Sequence, residues 1–426
     1  MLSTTNFKKL SFLVYGLGLT GQSVVKFFKK NNFKNFQVWD DKIKNLYKSK
    51  RTNDLTKTLK TVNFIVLSPG VSFNKNIKRL KKYKRKIITD IDLIFLLYKF
   101  KKSIVVTGTN GKSTTCKIIA HVLKNNKFKV LLGGNIGTPI LDLKVKKNTF
   151  LIIEASSYQL AHSKFIQPDY AFLLNISNDH LDWHGNMKNY VNSKFKIFKH
   201  QKKFQYSFVN KKLKKNFQKR KFSGKLIIPN TNEYTKLKAK IKNPYFKMNI
   251  NDENMSFIYS LSKFFNISKK SFIKSLKSFD GLPHRYEIFL KKKNCTFIND
   301  SKATSFNATK YALASTKNIY WILGGLPKKN DRFYLKNFKK DIIKSYIIGK
   351  NVNFFKKQVK NQINYFIAKN LNKALIQIFK DLAYFKKKNN SILFSPASAS
   401  FDQFLNFEKR GEEFKRLSKY HVKKYI

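Results

Sequence analysis

The sequence predicts an α/β protein of three domains built on largely parallel sheets. Three observations carry that prediction. Strand-like apolar runs alternate with helical patterns along the chain. Two of the strand–turn–helix units carry glycine turns of the kind that hold phosphates. Polar clusters fall directly after strands, at the ends where open α/β sheets collect their ligands. At 426 residues the chain has room for two or three substantial cores.

Leu10 to Tyr15 is strand-like and ends in Gly16-Leu17-Gly18-Leu19-Thr20-Gly21, after which a helical stretch runs to Phe28. Asn35 to Trp39 reads as the next strand. It stops at Asp40-Asp41, the distance at which a dinucleotide fingerprint places its ribose-binding acid. On these residues alone an NAD-dependent dehydrogenase is an open reading, because the same turn can hold any nucleotide. Phe64 to Leu67 is a buried-type strand, and Ser68-Pro69-Gly70 turns the chain beyond its carboxyl end. Asp92 to Phe100 is expected to be a helix leading out of this unit, so the first domain is 1–90.

The second domain, 91–281, opens with an apolar strand, Ser103 to Val106. It feeds Gly108-Thr109-Asn110-Gly111-Lys112-Ser113-Thr114 and then a helix with Ile118, Ile119, Val122 and Leu123 on one face. That order leaves backbone N–H groups free at a helix N-terminus to cradle a triphosphate. Lys112 supplies a point charge to the terminal phosphates, and Ser113 or Thr114 a hydroxyl to Mg²⁺. Val106 stands where the usual G-x-x-x-x-G-K-[ST] loop has its first glycine, so this loop is the shorter G-x-x-G-K-S-T. Phe150 to Ile153 leads into Glu154, a carboxylate placed to hold Mg²⁺ directly or through water. Tyr170 to Leu174 precedes a dense polar run, Asn175 to Asp182, that contains His180. Residues 201–246 are basic, weakly periodic and without nameable chemistry.

The turn Asp280-Gly281-Leu282-Pro283 marks the start of the third domain, 282–426. Its strand candidates are Cys295 to Ile298, Ile319 to Leu323, Ser345 to Ile348 and Ile392 to Phe394. Asp300-Ser301-Lys302-Ala303-Thr304 follows the first of these. Arg285 sits just past the boundary, where it could swing onto a γ-phosphate as domains close.

Lys and Arg number 88 against 23 Asp and Glu, a net charge of +65. A dedicated nucleic-acid surface would concentrate that charge. Here lysine is spread through every segment, so the excess reads as solvated surface that steers anionic small substrates, and no nucleic-acid partner is expected. The two cysteines, Cys116 and Cys295, are too few for a metal cluster and fit a reducing compartment. Lys8-Lys9 with Leu10 to Val25 imitates a signal peptide, but the apolar part belongs to the glycine fingerprint and no cleavage site follows. No apolar run is long enough to span a bilayer. A cytoplasmic protein without stable membrane insertion is expected.

Further motifs fall in order: Gly133-Gly134-Asn135-Ile136-Gly137, Glu154-Ala155-Ser156-Ser157-Tyr158-Gln159-Leu160, Leu323-Gly324-Gly325, and Ser395 to Gly411. Together with Gly16 to Gly21, Ser68-Pro69-Gly70, the phosphate loop, Asn175 to His180, Gly281 to Arg285 and Asn299 to Thr304, they resemble the Mur ligases of peptidoglycan synthesis. Within that family they are most similar to the branch that joins D-glutamate to UDP-N-acetylmuramoyl-L-alanine. The motifs cover all three domains and leave only about 201–246 unmatched.

The resemblance implies a Rossmann-like N-terminal domain for the UDP moiety, a central P-loop ATPase-type domain, and a mobile Rossmann-like C-terminal domain that binds the amino acid and closes on ATP. Leu19, Thr20, Asp40, Asp41, Ser68, Pro69 and Gly70 would line the UDP-substrate pocket, with Asn135 reaching in from the central domain. ATP would phosphorylate the substrate carboxylate, and the amine of D-glutamate would displace the phosphate. Gly108, Thr109, Asn110, Gly111, Lys112, Ser113 and Thr114 would bind ATP, with Asn251 and Asp300 at the nucleoside and Arg285 at phosphate. Ser113 and Glu154 would hold one Mg²⁺. Lys194, carbamylated by CO₂, would hold a second with His180. Lys302 would support the phosphates or the acceptor. Thr304, Lys328, Ser400 and Phe407 would bind D-glutamate, and the protein would act as a monomer. Two departures stand out: Ile250-Asn251 where the family usually shows His-Asn, and Leu326-Pro327-Lys328 after the glycine pair. The nearest rival is a folylpolyglutamate-type ligase of the same superfamily.

Overall fold

A computed structural model describes residues 4–71, 76–135, 137–246, 252–328, 331–385 and 389–425. They form two compact units, Met1–Phe279 and Asp280–Ile426. The first unit holds two sheets. One is made of β1 (Phe12–Tyr15), β2 (Phe36–Trp39), β3 (Phe64–Leu67) and β4 (Ile87–Ile88), parallel, in the order β2-β1-β3-β4. The other is made of β5 (Lys102–Thr107), β6 (Val130–Gly134), β7 (Phe150–Glu154), β8 (Tyr170–Leu173), β9 (Tyr206–Val209) and β10 (Lys225–Ile227). Its order is β10-β9-β8-β5-β7-β6, again parallel.

The sequence dictates the parallel arrangement. Strands such as Phe12-Leu13-Val14-Tyr15 and Leu151-Ile152-Ile153 are apolar on both faces and buried along their length, which suits a sheet covered by helices on each side. One continuous core runs from Phe12, Phe28 and Phe33 at the first sheet to Leu151, Ile153 and Leu173 at the second. The third glycine of the fingerprint shows why it must be glycine. A Cβ on Gly21 would stand 1.8 Å from the carbonyl oxygen of Gly16, so the helix Leu19–Lys30 packs backbone against backbone on the strand-end turn.

The helix expected over Asp92 to Phe100 runs instead over Asp90–Leu97. A capping box explains the earlier start: the Thr89 hydroxyl accepts from the Asp92 N–H, and the Asp92 carboxylate accepts from the Thr89 N–H. Residues 201–246 also differ from the reading of their sequence. They add β9 and β10 to the edge of the central sheet, next to β8.

The second unit has one sheet: β11 (Glu287–Lys292), β12 (Cys295–Asn299), β13 (Ile319–Gly324), β14 (Ile342–Ile348), β15 (Tyr365–Lys369) and β16 (Asn390–Phe394). The order is β11-β12-β16-β13-β14-β15, with β11 alone antiparallel. β12, β16 and β13 therefore lie side by side, and their carboxyl ends bring three loops together. Helix Phe407–Tyr425 packs Phe414 and Leu417 into the core on one side of this sheet. Among the described residues no helix is long and apolar enough to cross a membrane.

Candidate functional site

The phosphate loop leaves the end of β5, in the middle of the central sheet. Its neighbours on both sides fix its shape. On the β8 side, the Thr109 N–H donates to the Asn175 carbonyl (3.0 Å), and the Asn110 N–H donates to Asn175 Oδ1 (2.8 Å). Asn175 Nδ2 donates back to the Asn110 carbonyl (3.1 Å). Thr109 Oγ1 accepts from the Ser177 N–H (3.0 Å) and shares a 2.9 Å hydrogen bond with the Tyr190 hydroxyl. Gly111 starts the helix Lys112–Asn125 at φ 82°, a left-handed conformation, and a Cβ there would meet the Asn254 amide nitrogen at 2.3 Å. Lys112 Nζ donates to the Gly108 and Thr109 carbonyls at 2.9 and 2.8 Å, so the ammonium lies on the loop that would carry phosphate.

On the other side, Glu154 is the last residue of β7 rather than the first residue after it, and pairs in register with Val106. It is 2% exposed. Its Oε1 accepts from Asn135 Nδ2 (3.0 Å), while Oε2 is buried with no hydrogen-bond partner among the described residues. The hydroxyls of Thr107 and Thr115 are buried in the same state. A buried carboxyl oxygen left without a donor beside a phosphate loop is a costly arrangement for a folded protein. It fits a site for a hard cation that takes oxygen ligands, as Mg²⁺ does.

Lys194 is buried at the end of the helix Met187–Phe195 and is 2% exposed. Its Nζ donates to the Gly108 carbonyl at 2.7 Å and lies 4.6 Å from the centre of the Tyr190 ring. Burial, and then the positive charge of Lys112, push its pKa well below the usual ammonium value; Asp179 offsets this only in part. His180 takes a left-handed backbone (φ 55°), lies 3.5 Å from the Asp179 carboxylate and packs its ring on Tyr158. His184 was not read from the sequence as a site residue. It hydrogen-bonds Ser157 Oγ (2.9 Å), and burial together with the charges of His180 and Lys194 lowers its pKa to about 4. It therefore stays a neutral wall of this cluster at neutral pH.

A cavity of about 680 Å³ opens at the carboxyl ends of the first sheet. Leu19, Thr20, Asp40, Asp41, Ser68, Pro69, Gly70 and Asn135, all expected from the sequence, line it together. Tyr15, Asn76, Gly137 and Gln159 line it as well; Gly137 and Gln159 belong to motifs already noted but were not expected at this site, and Tyr15 and Asn76 carried no signal of their own. Gln159 is held by a capping box with Ser156 and donates to the buried Asp90 carboxylate at 3.2 Å. Leu19 is 82% exposed, an apolar surface presented to whatever enters. Asn135 serves two places at once, lining this cavity and bonding Glu154.

In the second unit the Asp300–Thr304 turn, the segment after β13 and the segment after β16 converge. Leu326 and Ala399 exchange backbone hydrogen bonds of 2.9 Å, so the chain leading to Lys328 runs beside the chain leading to Ser400. The Phe306 N–H donates to Asp331 Oδ2 (2.8 Å), which ties the segment after Thr304 to Asp331. Lys302 Nζ lies 3.5 Å from the centre of the Phe407 ring. Arg410 is fully buried and clamps two loops. Its Nε and Nη2 donate to Ser301 Oγ and the Ser301 carbonyl, and Nη2 also donates to the Ser398 carbonyl. The Asp300 carboxylate accepts from Ser395 Oγ (2.6 Å) and the Tyr286 N–H (3.1 Å). Burial raises its pKa to about 7, with Arg285 pulling the other way. Asn251 lies outside the described residues.

Residues 106–276 match the model of the Mur ligase middle domain. The UDP-N-acetylmuramoylalanine–D-glutamate ligase of Rickettsia felis is 34% identical, over 96% of this chain and 96% of its own. The enzyme of the same name from a Hydrogenobaculum species is also 34% identical, over 97% of this chain and 99% of its own. Among solved structures, MurF ligase from Thermotoga maritima in complex with ADP covers 99% of this chain and 98% of its own, with a TM-score of 0.57 and 18% identity. UDP-N-acetylmuramate–alanine ligase MurC from the same organism covers 97% and 100%, with a TM-score of 0.57 and 16% identity. At such identities the two structures speak for the fold.

Proposed function

The chain belongs to the Mur ligases, among the UDP-N-acetylmuramoylalanine–D-glutamate ligases, and on that footing we propose that it joins D-glutamate to UDP-N-acetylmuramoyl-L-alanine in peptidoglycan precursor synthesis, driven by ATP. One observation supports this most directly. Asn135 connects a cavity of nucleotide-sugar size to the carboxylate beside the phosphate loop, so the nucleotide-bearing substrate and the phosphoryl donor share one frame.

In the proposed reaction a carboxylate oxygen of the UDP substrate attacks the γ-phosphorus of ATP, the bond to the β-phosphate oxygen breaks, and ADP leaves. The amine of D-glutamate then attacks the acyl carbon. The amine gives up a proton, the bond to the phosphate oxygen breaks, and inorganic phosphate departs. The N–H groups from Gly108 to Thr114 hold the phosphates, and Lys112 turns its ammonium from the loop carbonyls to the migrating phosphoryl group. Ser113 and Glu154 would hold Mg²⁺, whose charge would offset the repulsion between triphosphate and carboxylate. Leu19, Thr20, Asp40, Asp41, Ser68, Pro69, Gly70 and Asn135 hold the UDP substrate. Asn251, Arg285 and Asp300 serve ATP. Thr304, Lys328, Ser400 and Phe407 receive D-glutamate, and Lys302, over the Phe407 ring, places a cation there for a dicarboxylate.

Lys194 carries a carbamate in this proposal and, with His180, holds a second Mg²⁺. The surroundings suit it. Burial lowers the pKa of this amine and so favours its neutral form, the one nucleophilic toward CO₂; on addition it would lose one proton and gain a carboxylate, and the remaining N–H would still reach the Gly108 carbonyl. Residues 1–90, 91–281 and 282–426 are assigned as UDP-substrate, ATP and amino-acid domains, in a cytoplasmic monomer. The test is phosphate release in the presence of ATP, Mg²⁺, the UDP-muramoyl substrate and each candidate amino acid. Release that depends on D-glutamate is expected; release that depends on L-glutamate, or on no amino acid, would refute the assignment.

A further inference from the structure

Two adjacent acids, Asp40 and Asp41, line the nucleotide cavity, and their surroundings differ in kind. Among the described residues the Asp40 carboxylate accepts from backbone alone: the N–H groups of Leu17 (2.6 Å), Lys42 (2.8 Å) and Ile43 (2.8 Å). It is a clasp that closes the glycine turn onto the loop after β2, and Arg51 holds the far side of that loop. Arg51 donates to the Asp40 and Ile43 carbonyls and lies over the Trp39 ring, 4.6 Å from its centre.

Asp41 is held by side chains from three elements. Trp39 Nε1 donates to Oδ1 (3.0 Å), Arg79 Nη1 donates to the same oxygen (2.9 Å), and the Tyr15 hydroxyl donates to Oδ2 (2.9 Å). Arg79 Nη1 also reaches the Tyr15 oxygen at 3.1 Å. The carboxylate is nevertheless 42% exposed. Burial works against its charge, but the donors from Trp39, Tyr15 and Arg79 outweigh it and hold its pKa below the usual carboxylate value. Asp41 is thus a fixed anion at the cavity wall, with an acceptor position left on Oδ2 after its three donors.

Composition adds an independent point. Only eight arginines stand among the 88 basic residues. A chain that fills its solvated positions with lysine keeps arginine where a planar, directional donor is needed. Two of those eight, Arg51 and Arg79, hold the segment Trp39 to Ile43.

We infer that Asp41, and not Asp40, is the acid that reads the uridine, accepting a hydrogen bond from a nucleoside donor (a ribose hydroxyl or the ring N3–H), and that Tyr15, Trp39 and Arg79 are the residues that position it. This rests on the UDP-substrate reading above. Arg79 touches no substrate atom in this scheme. It fixes the direction of the Asp41 carboxylate and the proton of Tyr15, whose pKa burial pushes up to about 12, so that the phenol stays a donor.

The test uses the full chain. Arg79→Met and Tyr15→Phe should each raise the KM for the UDP-muramoyl substrate about tenfold, with kcat and the KM for ATP moving by no more than about twofold, the size expected for one lost hydrogen-bonded charge contact. Arg79→Lys should recover part of the loss, which a purely steric role for the side chain would not predict. Calorimetry with UDP, 2′-deoxy-UDP, 3′-deoxy-UDP and N3-methyl-UDP identifies the donor. At least one analogue should bind about tenfold more weakly than UDP to the wild type and equally well to Asp41→Asn. An unchanged KM in both Arg79→Met and Tyr15→Phe, or an analogue penalty that persists in Asp41→Asn, would overturn the inference while leaving the ligase assignment intact. A wild-type chain that binds no UDP would overturn both.

Discussion

Lys112→Ala is expected to lower kcat by about a thousandfold, the scale of losing a fixed charge aimed at a transition-state oxygen. The bulk field of the protein will not change, because Lys112 is one of 88 basic residues. What changes is direction. Lys112 occupies the first turn of the helix Lys112–Asn125, and its Nζ already lies within 3 Å of two loop carbonyls. A short movement takes it from those oxygens to a γ-phosphate. The KM for the UDP-muramoyl substrate should stay within about twofold, because the site proposed for that substrate lies at the first sheet, so the loss appears in kcat. Steady-state phosphate release measures both. A kcat within tenfold of wild type would contradict the role.

Lys194→Ala is expected to lose activity by a similar factor, and millimolar acetate or formate should restore part of it by occupying the space of the missing carbamate. Burial and Lys112 together lower the pKa of the amine and so favour the neutral form that adds CO₂, and each carbamylation event releases a proton. Acid therefore favours the free ammonium, and added bicarbonate favours the carbamate. Activity lost as pH falls should return in part when bicarbonate is raised. An independent readout is a carbon-13 carbamate resonance after exposure to labelled CO₂, present in the wild type and absent from Lys194→Ala. Wild-type activity in the variant, or a wild type without that resonance, would refute the carbamate. The chemical reason for expecting it is local: Lys194 and Lys112 both reach the Gly108 carbonyl, where a carbamate would place a negative charge beside the Lys112 ammonium.

The parts of this molecule that the sequence reveals are those whose chemistry sits in consecutive residues. The phosphate loop, Gly16 to Gly21, and the Ser68-Pro69-Gly70 turn each combine a strand end, a turn and a helix start in one short run, so spacing alone locates them. The residues that the resemblance groups at the UDP site line one cavity. Tyr15 and Arg79 do not announce themselves, because Arg79 reaches Tyr15 and Asp41 from an element far along the chain. Only the folded contacts separate Asp40 from Asp41, since the two look alike as neighbours in a sequence. β9 and β10 were hidden for another reason. Their strands are only four and three residues long, and in β10 the exposed Lys225 further blurs the apolar period. β11 is concealed likewise: Glu287-Ile288-Phe289-Leu290-Lys291-Lys292 lies at a sheet edge, partly exposed along its whole length. The shorter loop with Val106 in place of glycine proved no obstacle, because Val106 is a buried strand residue paired with Glu154.

The most direct measurement follows the oxygen atoms. The UDP-muramoyl substrate is prepared with oxygen-18 in its alanyl carboxylate and turned over with ATP, Mg²⁺ and D-glutamate. Phosphorylation of that carboxylate, followed by attack of the amine, sends one labelled oxygen into each inorganic phosphate released and leaves the other in the new amide. Unlabelled phosphate accompanying product would contradict the acyl-phosphate route and, with it, the role assigned to the loop from Gly108 to Thr114.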